Sequence, residues 1–103
     1  MEHHGWSDKE LERTADRCKA IAHPLRLAIL CLLANGEHSV GDICRELGSS
    51  QPNISQHLTQ LHNQHLLTSR KEANFVYYAI ADRRLQQIIA MLQQIYCPET
   101  LPD

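Results

Sequence analysis

The chain has 103 residues, 43% hydrophobic and 21% charged, with a formal net charge of -2. That is enough for a single domain over residues 1–103 around one modest core, and the balance is that of a soluble globular chain. No apolar run approaches the ~20 residues a membrane span needs. The opening MEHHGWSDKE has no apolar stretch of the secretory type, so a cytoplasmic location is expected.

Ser7 and Glu10 form an S-x-x-E capping box and predict a first helix to about Ile21. Leu11, Ala15, Cys18 and Ala22 share one stripe of it. Five of the twelve acidic residues fall in the first sixteen positions, so this end is expected to face away from nucleic acid. His23-Pro24 breaks the helix and starts a second, with Pro24 at the first helical position. Leu25, Ala28, Ile29, Leu32 and Leu33 give it a buried face, and Asn35-Gly36 stops it.

Ser39 caps a short third helix in which Val40, Ile43 and Leu47 point inward, and Gly48 permits the left-handed turn that ends it. Ser50 caps a fourth helix with Ile54, Leu58 and Leu61 on its inner stripe. Its remaining positions are Gln51, Asn53, Ser55, Gln56, His57, Thr59 and Gln60. Two short helices broken at a glycine, the second opening on polar side chains, are the layout of a helix-turn-helix. From Leu47 to Lys71 there are 25 residues and no carboxylate. Clearing acid from one segment of an acidic chain is what a surface meeting phosphates requires.

Leu66 to Arg70 and Phe75 to Ile80 read as two strands joined by the short link Lys71-Glu72-Ala73-Asn74. Asp82 caps a last helix to about Tyr96, with Leu85, Ile88, Ile89, Leu92, Ile95 and Tyr96 on a wide apolar stripe, Met91 beside it, and Pro98 beyond its end. The predicted architecture is mainly α with a β-hairpin wing, in the order α-α-α-α-β-β-α. That is a winged helix-turn-helix. The last helix carries more apolar surface than one small core needs, so a homodimer packed through the first and last helices is expected. The alternative is that the stripe closes the monomer core.

Gln51, Asn53, Ser55 and Gln56 are the leading candidates to read bases of double-stranded operator DNA, because residues at the start of a recognition helix reach base edges most readily. His57 and Thr59 follow. Arg70 and Lys71 are candidates for phosphate contact at the wing. His3 and His4 are expected on a disordered tail, and His62 and His65, three apart, would chelate weakly at most. No Gly-rich phosphate loop or nucleophile–base constellation points to an enzyme, and no cofactor is expected. A winged-helix protein used for protein contacts, with DNA binding lost, is the other class to weigh.

The segments AIAHPLRLAIL (20–30), SVGDICRELGSSQPNISQHLTQL (39–61) and LLTSRKEANFVYYAI (66–80) together resemble the ArsR/SmtB family of bacterial repressors. Members are dimeric and release their operator when an inducer, often a metal ion, binds. The C-V-C metal pattern on the helix before the recognition helix corresponds here to Ser39-Val40-Gly41. The Asp-x-His pair of the last helix corresponds to Asp82 and Arg84, and the later ligands to Ile95 and Pro98. These residue types do not make either metal site.

Of the four cysteines, none lies in a C-x-x-C pair. Cys31 and Cys97 resemble the pair used by the persulfide- and oxidant-sensing subgroup of the family, the SqrR/BigR and HlyU types. What the resemblance implies is a disulfide or polysulfide bridge between them, with reactive sulfur species or oxidants as inducer. A metal-responsive or constitutive regulator is the alternative. Cys18 and Cys44 read as structural or incidental.

Overall fold

A computed structural model of the chain describes residues 2–96. A small hairpin, β1 (Glu2–His3) and β2 (Trp6–Ser7), leads into α1 (Asp8–Ile21), α2 (Pro24–Leu33), β3 (His38–Ser39), α3 (Val40–Leu47) and α4 (Gln51–Asn63). The wing strands β4 (Leu67–Glu72) and β5 (Phe75–Ile80) and the helix α5 (Arg83–Tyr96) complete it. This is the expected helix order, with two short additions. His3 and His4 belong to the N-terminal hairpin rather than to a disordered tail: β1 pairs antiparallel with β2, and His3 Nε2 lies 3.3 Å from Asp8 Oδ1. No helix of the described residues is long and apolar enough to cross a membrane.

Local chemistry sets each helix start. Ser7 Oγ accepts from the Glu10 amide at 3.1 Å while Glu10 Oε2 accepts from the Ser7 amide at 3.2 Å, the reciprocal capping box. His23 caps α2, its Nδ1 accepting from the Leu25 amide at 3.2 Å. Ser39 Oγ accepts from Asp42 N and Ser50 Oγ from Asn53 N. Gly48, at φ 64 and ψ 33, ends α3 in the left-handed region and turns the chain into α4.

The three-stranded sheet has the order β3-β5-β4, all antiparallel, with His38 opposite Tyr78 and Ser39 opposite Tyr77. The wing turn is shorter than expected. Lys71 and Glu72 pair with Val76 and Phe75, so both belong to β4 and only Ala73-Asn74 form the turn. Ala73 takes φ 54, the sign a two-residue hairpin turn demands at its first position.

The core gathers Ile29, Leu30 and Leu33 of α2, Ile43 of α3, Ile54, Leu58 and Leu61 of α4, Leu66 and Leu67 at the start of the wing, and Leu85 and Ile89 of α5. The expected stripe on α1 is not a buried one. Leu11, Ala15, Cys18 and Ala22 are exposed, and it is Ala20, with Ile21 beside it, that joins the core. The α5 stripe divides. Leu85 and Ile89 face the core, whereas Ile88, Met91, Ile95 and Tyr96 are more than half exposed.

Ile54 has no exposed surface and anchors α4 to the core. Ile54→Ala is expected to cost about 2–5 kcal/mol through lost burial and the cavity left behind. A urea titration followed by circular dichroism measures it, and a loss below ~1 kcal/mol would show that α4 is not held by this face.

Candidate nucleic-acid interface

The helical period decides which side chains of α4 reach solvent. With Ile54, Leu58 and Leu61 turned inward, the opposite line runs through Pro52, Gln56, Thr59 and Asn63, all exposed. Asn53 and Gln60 stand beside this line, also exposed, while Gln51 at the helix start is exposed nearer the inward stripe. The face is therefore a ridge of neutral amides and a hydroxyl. Its first turn holds no acidic residue, whereas those of α1 and α3 hold Asp8, Glu10 and Asp42. The positive end of the α4 dipole is thus left for an external anion.

The predicted base readers fall into two groups. Gln51, Gln56 and Thr59 are exposed, and their side chains make no hydrogen bond among the described residues. Asn53 is exposed, but its Nδ2 donates to Ser49 Oγ at 3.0 Å, which fixes the amide at the helix start. Ser55 is half-buried on the flank of the ridge. Asn63 and Gln60 extend the exposed ridge. Asn63 was not among the predicted readers, although its spacing of four from Thr59 places it there.

His57 lies on the other flank, half-buried. Its ring meets that of His23 at a tilt, with centroids 4.5 Å apart, and its Nδ1 is buried without a hydrogen-bond partner, as is Arg26 Nε. His57 therefore joins α4 to the start of α2 as much as it faces outward. Burial first, and then the neighbouring charges of His23 and Arg26, push its pKa below the ordinary 6.5.

At the wing, Lys71 is exposed and makes no ion pair among the described residues. Arg70 is engaged. Its Nε donates to Glu37 Oε1 and Oε2 at 3.1 and 3.0 Å, its Nη1 donates to Glu72 Oε2 at 3.0 Å, and the guanidinium lies over the Tyr77 ring at 4.7 Å. The Arg70 fork holds the Glu37 carboxyl below its usual range.

Cys31 is half-buried on α2, packed against the core. Cys97 lies outside the described residues, directly after the end of α5. That helix packs on α2, and Gln86 of α5 donates to the Ala34 carbonyl at 2.8 Å. Cys18 is exposed on α1 and Cys44 half-buried on α3. At the positions the metal-binding relatives use, Ser39 caps α3 and Asp82 caps α5. Asp82 Oδ1 accepts from the Leu85 amide at 2.9 Å, and that bond, with Arg84 nearby, keeps its carboxyl low. Among the described residues no three His, Cys, Asp or Glu side chains gather as a metal site.

The model for the family described as bacterial regulatory protein, arsR family, matches residues 23–69. The transcriptional activator HlyU of Vibrio cholerae serotype O1 is 37% identical over 93 residues, 86% of each chain. The chain belongs to the arsR family. A solved structure of HlyU from Vibrio cholerae superimposes with a TM-score of 0.85, at 36% identity, covering 88% of this chain and 99% of that one. The transcriptional repressor BigR from Xylella fastidiosa gives 0.81 at 30% identity, over 87% of this chain and 92% of that one. The homodimeric winged helix-turn-helix domain Mb0332 from Mycobacterium bovis gives 0.79 at 32%, over 95% and 94%. The chain is thus a winged helix-turn-helix transcriptional regulator of the arsR family, not an enzyme, and it matches the HlyU- and BigR-type subgroup.

The depressed pKa of His57 makes a prediction about acid stability. A histidine that resists protonation when folded contributes stability above its unfolded pKa of 6.5, and that contribution is lost as pH falls below it. Thermal melts of the unaltered protein should show Tm dropping from pH 7 downward, with a shallower drop in His57→Gln. Identical slopes would mean that His57 is protonated as easily in the fold as in the unfolded chain.

Proposed function

We propose that this chain acts as a homodimeric cytoplasmic repressor that binds double-stranded operator DNA and is switched by a Cys31–Cys97 bridge in response to reactive sulfur species or oxidants. The observation that carries the DNA reading is the acid-free polar ridge of α4. Gln51, Gln56 and Thr59 present hydrogen-bonding groups to base edges, with Asn53, Ser55 and His57 flanking them. Lys71, and Arg70 when released from its carboxylates, serve the phosphates.

The exposed apolar residues Ile88, Met91, Ile95 and Tyr96 of α5, with Leu11 of α1, support a dimer. Two copies related by a two-fold axis would present their α4 helices to half-sites about 34 Å apart. The homodimeric relative from Mycobacterium bovis supports the same assembly.

The switch reading rests on Cys31 lying on the helix against which α5 packs. With peroxide, the Cys31 thiolate attacks one oxygen and hydroxide leaves, giving a sulfenic acid. The Cys97 thiol then displaces water and the disulfide forms. With an organic persulfide, Cys31 takes the outer sulfur and a thiolate leaves. Cys97 next attacks the Cys31 sulfur and expels hydrosulfide, giving the disulfide. If both cysteines are persulfidated, their condensation releases hydrogen sulfide and leaves a trisulfide. A direct disulfide needs Cα atoms within ~7 Å, and inserted sulfur relaxes that limit.

Two experiments test this reading. Intact mass and operator binding are measured on reduced protein before and after a persulfide donor and, separately, peroxide. The operator is selected from a random-sequence duplex pool. Loss of two thiols mapped to Cys31 and Cys97, with weaker binding, is the expected result, and Cys31→Ser should abolish it. A response that survives in Cys31→Ser removes the thiol switch. For base reading, Gln56→Ala is expected to cost about 1–3 kcal/mol on the selected operator and little on mixed-sequence DNA. Equal losses on both would reassign Gln56 to the backbone.

A further inference from the structure

We propose that Glu37 limits the affinity of this protein for DNA by competing with phosphate for the Arg70 guanidinium. The inference rests on DNA binding and is independent of the thiol switch. Glu37 lies in the loop between α2 and β3, and Arg70 lies on β4 at the far edge of the sheet. The carboxylate reaches across β5 to the arginine, which rests on the Tyr77 ring between them. Glu72, two residues further along β4, takes Nη1.

The wing arginine therefore meets two carboxylates, and its surroundings are negative on balance. Arg70 with its two carboxylates carries one net negative charge, although Arg70 itself lies within the acid-free run from Leu47 to Lys71. The contact is nonetheless open to exchange. The Arg70 and Glu37 side chains are 49% and 39% exposed, so water and salt reach both. Exposed ion pairs of this kind hold weakly. A phosphate offers the same two-oxygen edge to the guanidinium fork that Glu37 offers. DNA binding then means exchanging one anion for another at Arg70, and the displaced Glu37 carboxylate stays close to the backbone.

Neutralising Glu37 removes the competitor and one repelling charge. Binding to a mixed-sequence DNA duplex is followed by fluorescence anisotropy over a range of salt concentrations, with four proteins: unaltered, Glu37→Gln, Arg70→Gln and the double variant. Glu37→Gln is expected to bind about fivefold more tightly at low salt, the effect of one unit charge at close range in water. Its plot of log affinity against log salt should be steeper by up to about 0.9, because the displaced carboxylate no longer offsets the charge that Arg70 brings to phosphate. The double variant should lose that gain entirely.

Glu37→Gln binding no more tightly than the unaltered protein, or more tightly with the salt slope unchanged, overturns the proposal. A role for Glu37 confined to holding the wing in place predicts weaker binding instead. Binding by the unaltered protein in the same titration separates this failure from failure of the DNA reading, which would leave all four proteins inert. Matching thermal melts for the four proteins show that each is folded.

Discussion

The packing of α2 against five other elements is the constraint on which the remaining structure depends. This ten-residue helix packs against α1, α3, α4, α5 and β5, and its Ile29, Leu30 and Leu33 have almost no exposed surface. A helix that is apolar around most of its circumference is stable only when other elements surround it. Each neighbour must in turn spend its own apolar stripe on α2 and present its other face elsewhere. For α4 that other face is the polar ridge. For α5 it is the surplus apolar surface of Ile88, Met91, Ile95 and Tyr96. The polar ridge of α4 and the exposed apolar face of α5 are thus consequences of one packed helix.

The same helix links the two ends of the proposed switch. Its first residues meet α4, through the His23–His57 ring contact and the neighbouring Arg26. Its C-terminal end meets α5, where Gln86 donates to the Ala34 carbonyl. Cys31 sits between, close to the α5 end. A bridge that pulls α5 toward Cys31 acts on an element that cannot yield by local rearrangement, because close-packed cores shift as units. Between α2 and α4, His57 Nδ1 and Arg26 Nε are buried without hydrogen-bond partners, beside the tilted contact of the His23 and His57 rings.

What could be read in the sequence was what local chemistry decides. Ser7, Ser39 and Ser50 each serve an amide three residues on, and Gly48 stands where a left-handed residue is needed, so four helix boundaries follow from neighbours in the chain. The three-strand sheet was not legible, because β3 is two residues long and acquires its identity only by pairing with Tyr77 and Tyr78 almost forty residues later. The wing turn was placed two residues early, since Lys71 and Glu72 look like turn residues until their partners on β5 are known. His57 looked like another polar residue of the recognition helix. Its phase around the helix, beside the buried stripe, brings it against His23. Arg70 read as a phosphate contact for a similar reason: Glu37 is 33 residues away, and no local pattern announces that pairing.

The charge distribution shows how an acidic chain can meet DNA. Net charge governs encounter from a distance, but contact is decided by which groups lie within a Debye length of the phosphates. Asp8, Glu10 and Asp42 stand in the first turns of α1 and α3, where they stabilise helix starts. The chain uses a neutral serine to cap α4, and Gln51, Pro52 and Asn53 fill its first turn. A carboxylate cap there would serve the helix equally well and would repel the backbone. Choosing Ser50 over an aspartate leaves the α4 amides and their dipole for an anion from outside. The wing follows the opposite course, with Arg70 closed onto Glu37 and Glu72. In the proposed reading, recognition therefore weighs more on the neutral ridge of α4 than on cations at the wing, an arrangement that favours base reading over indiscriminate attraction to phosphate.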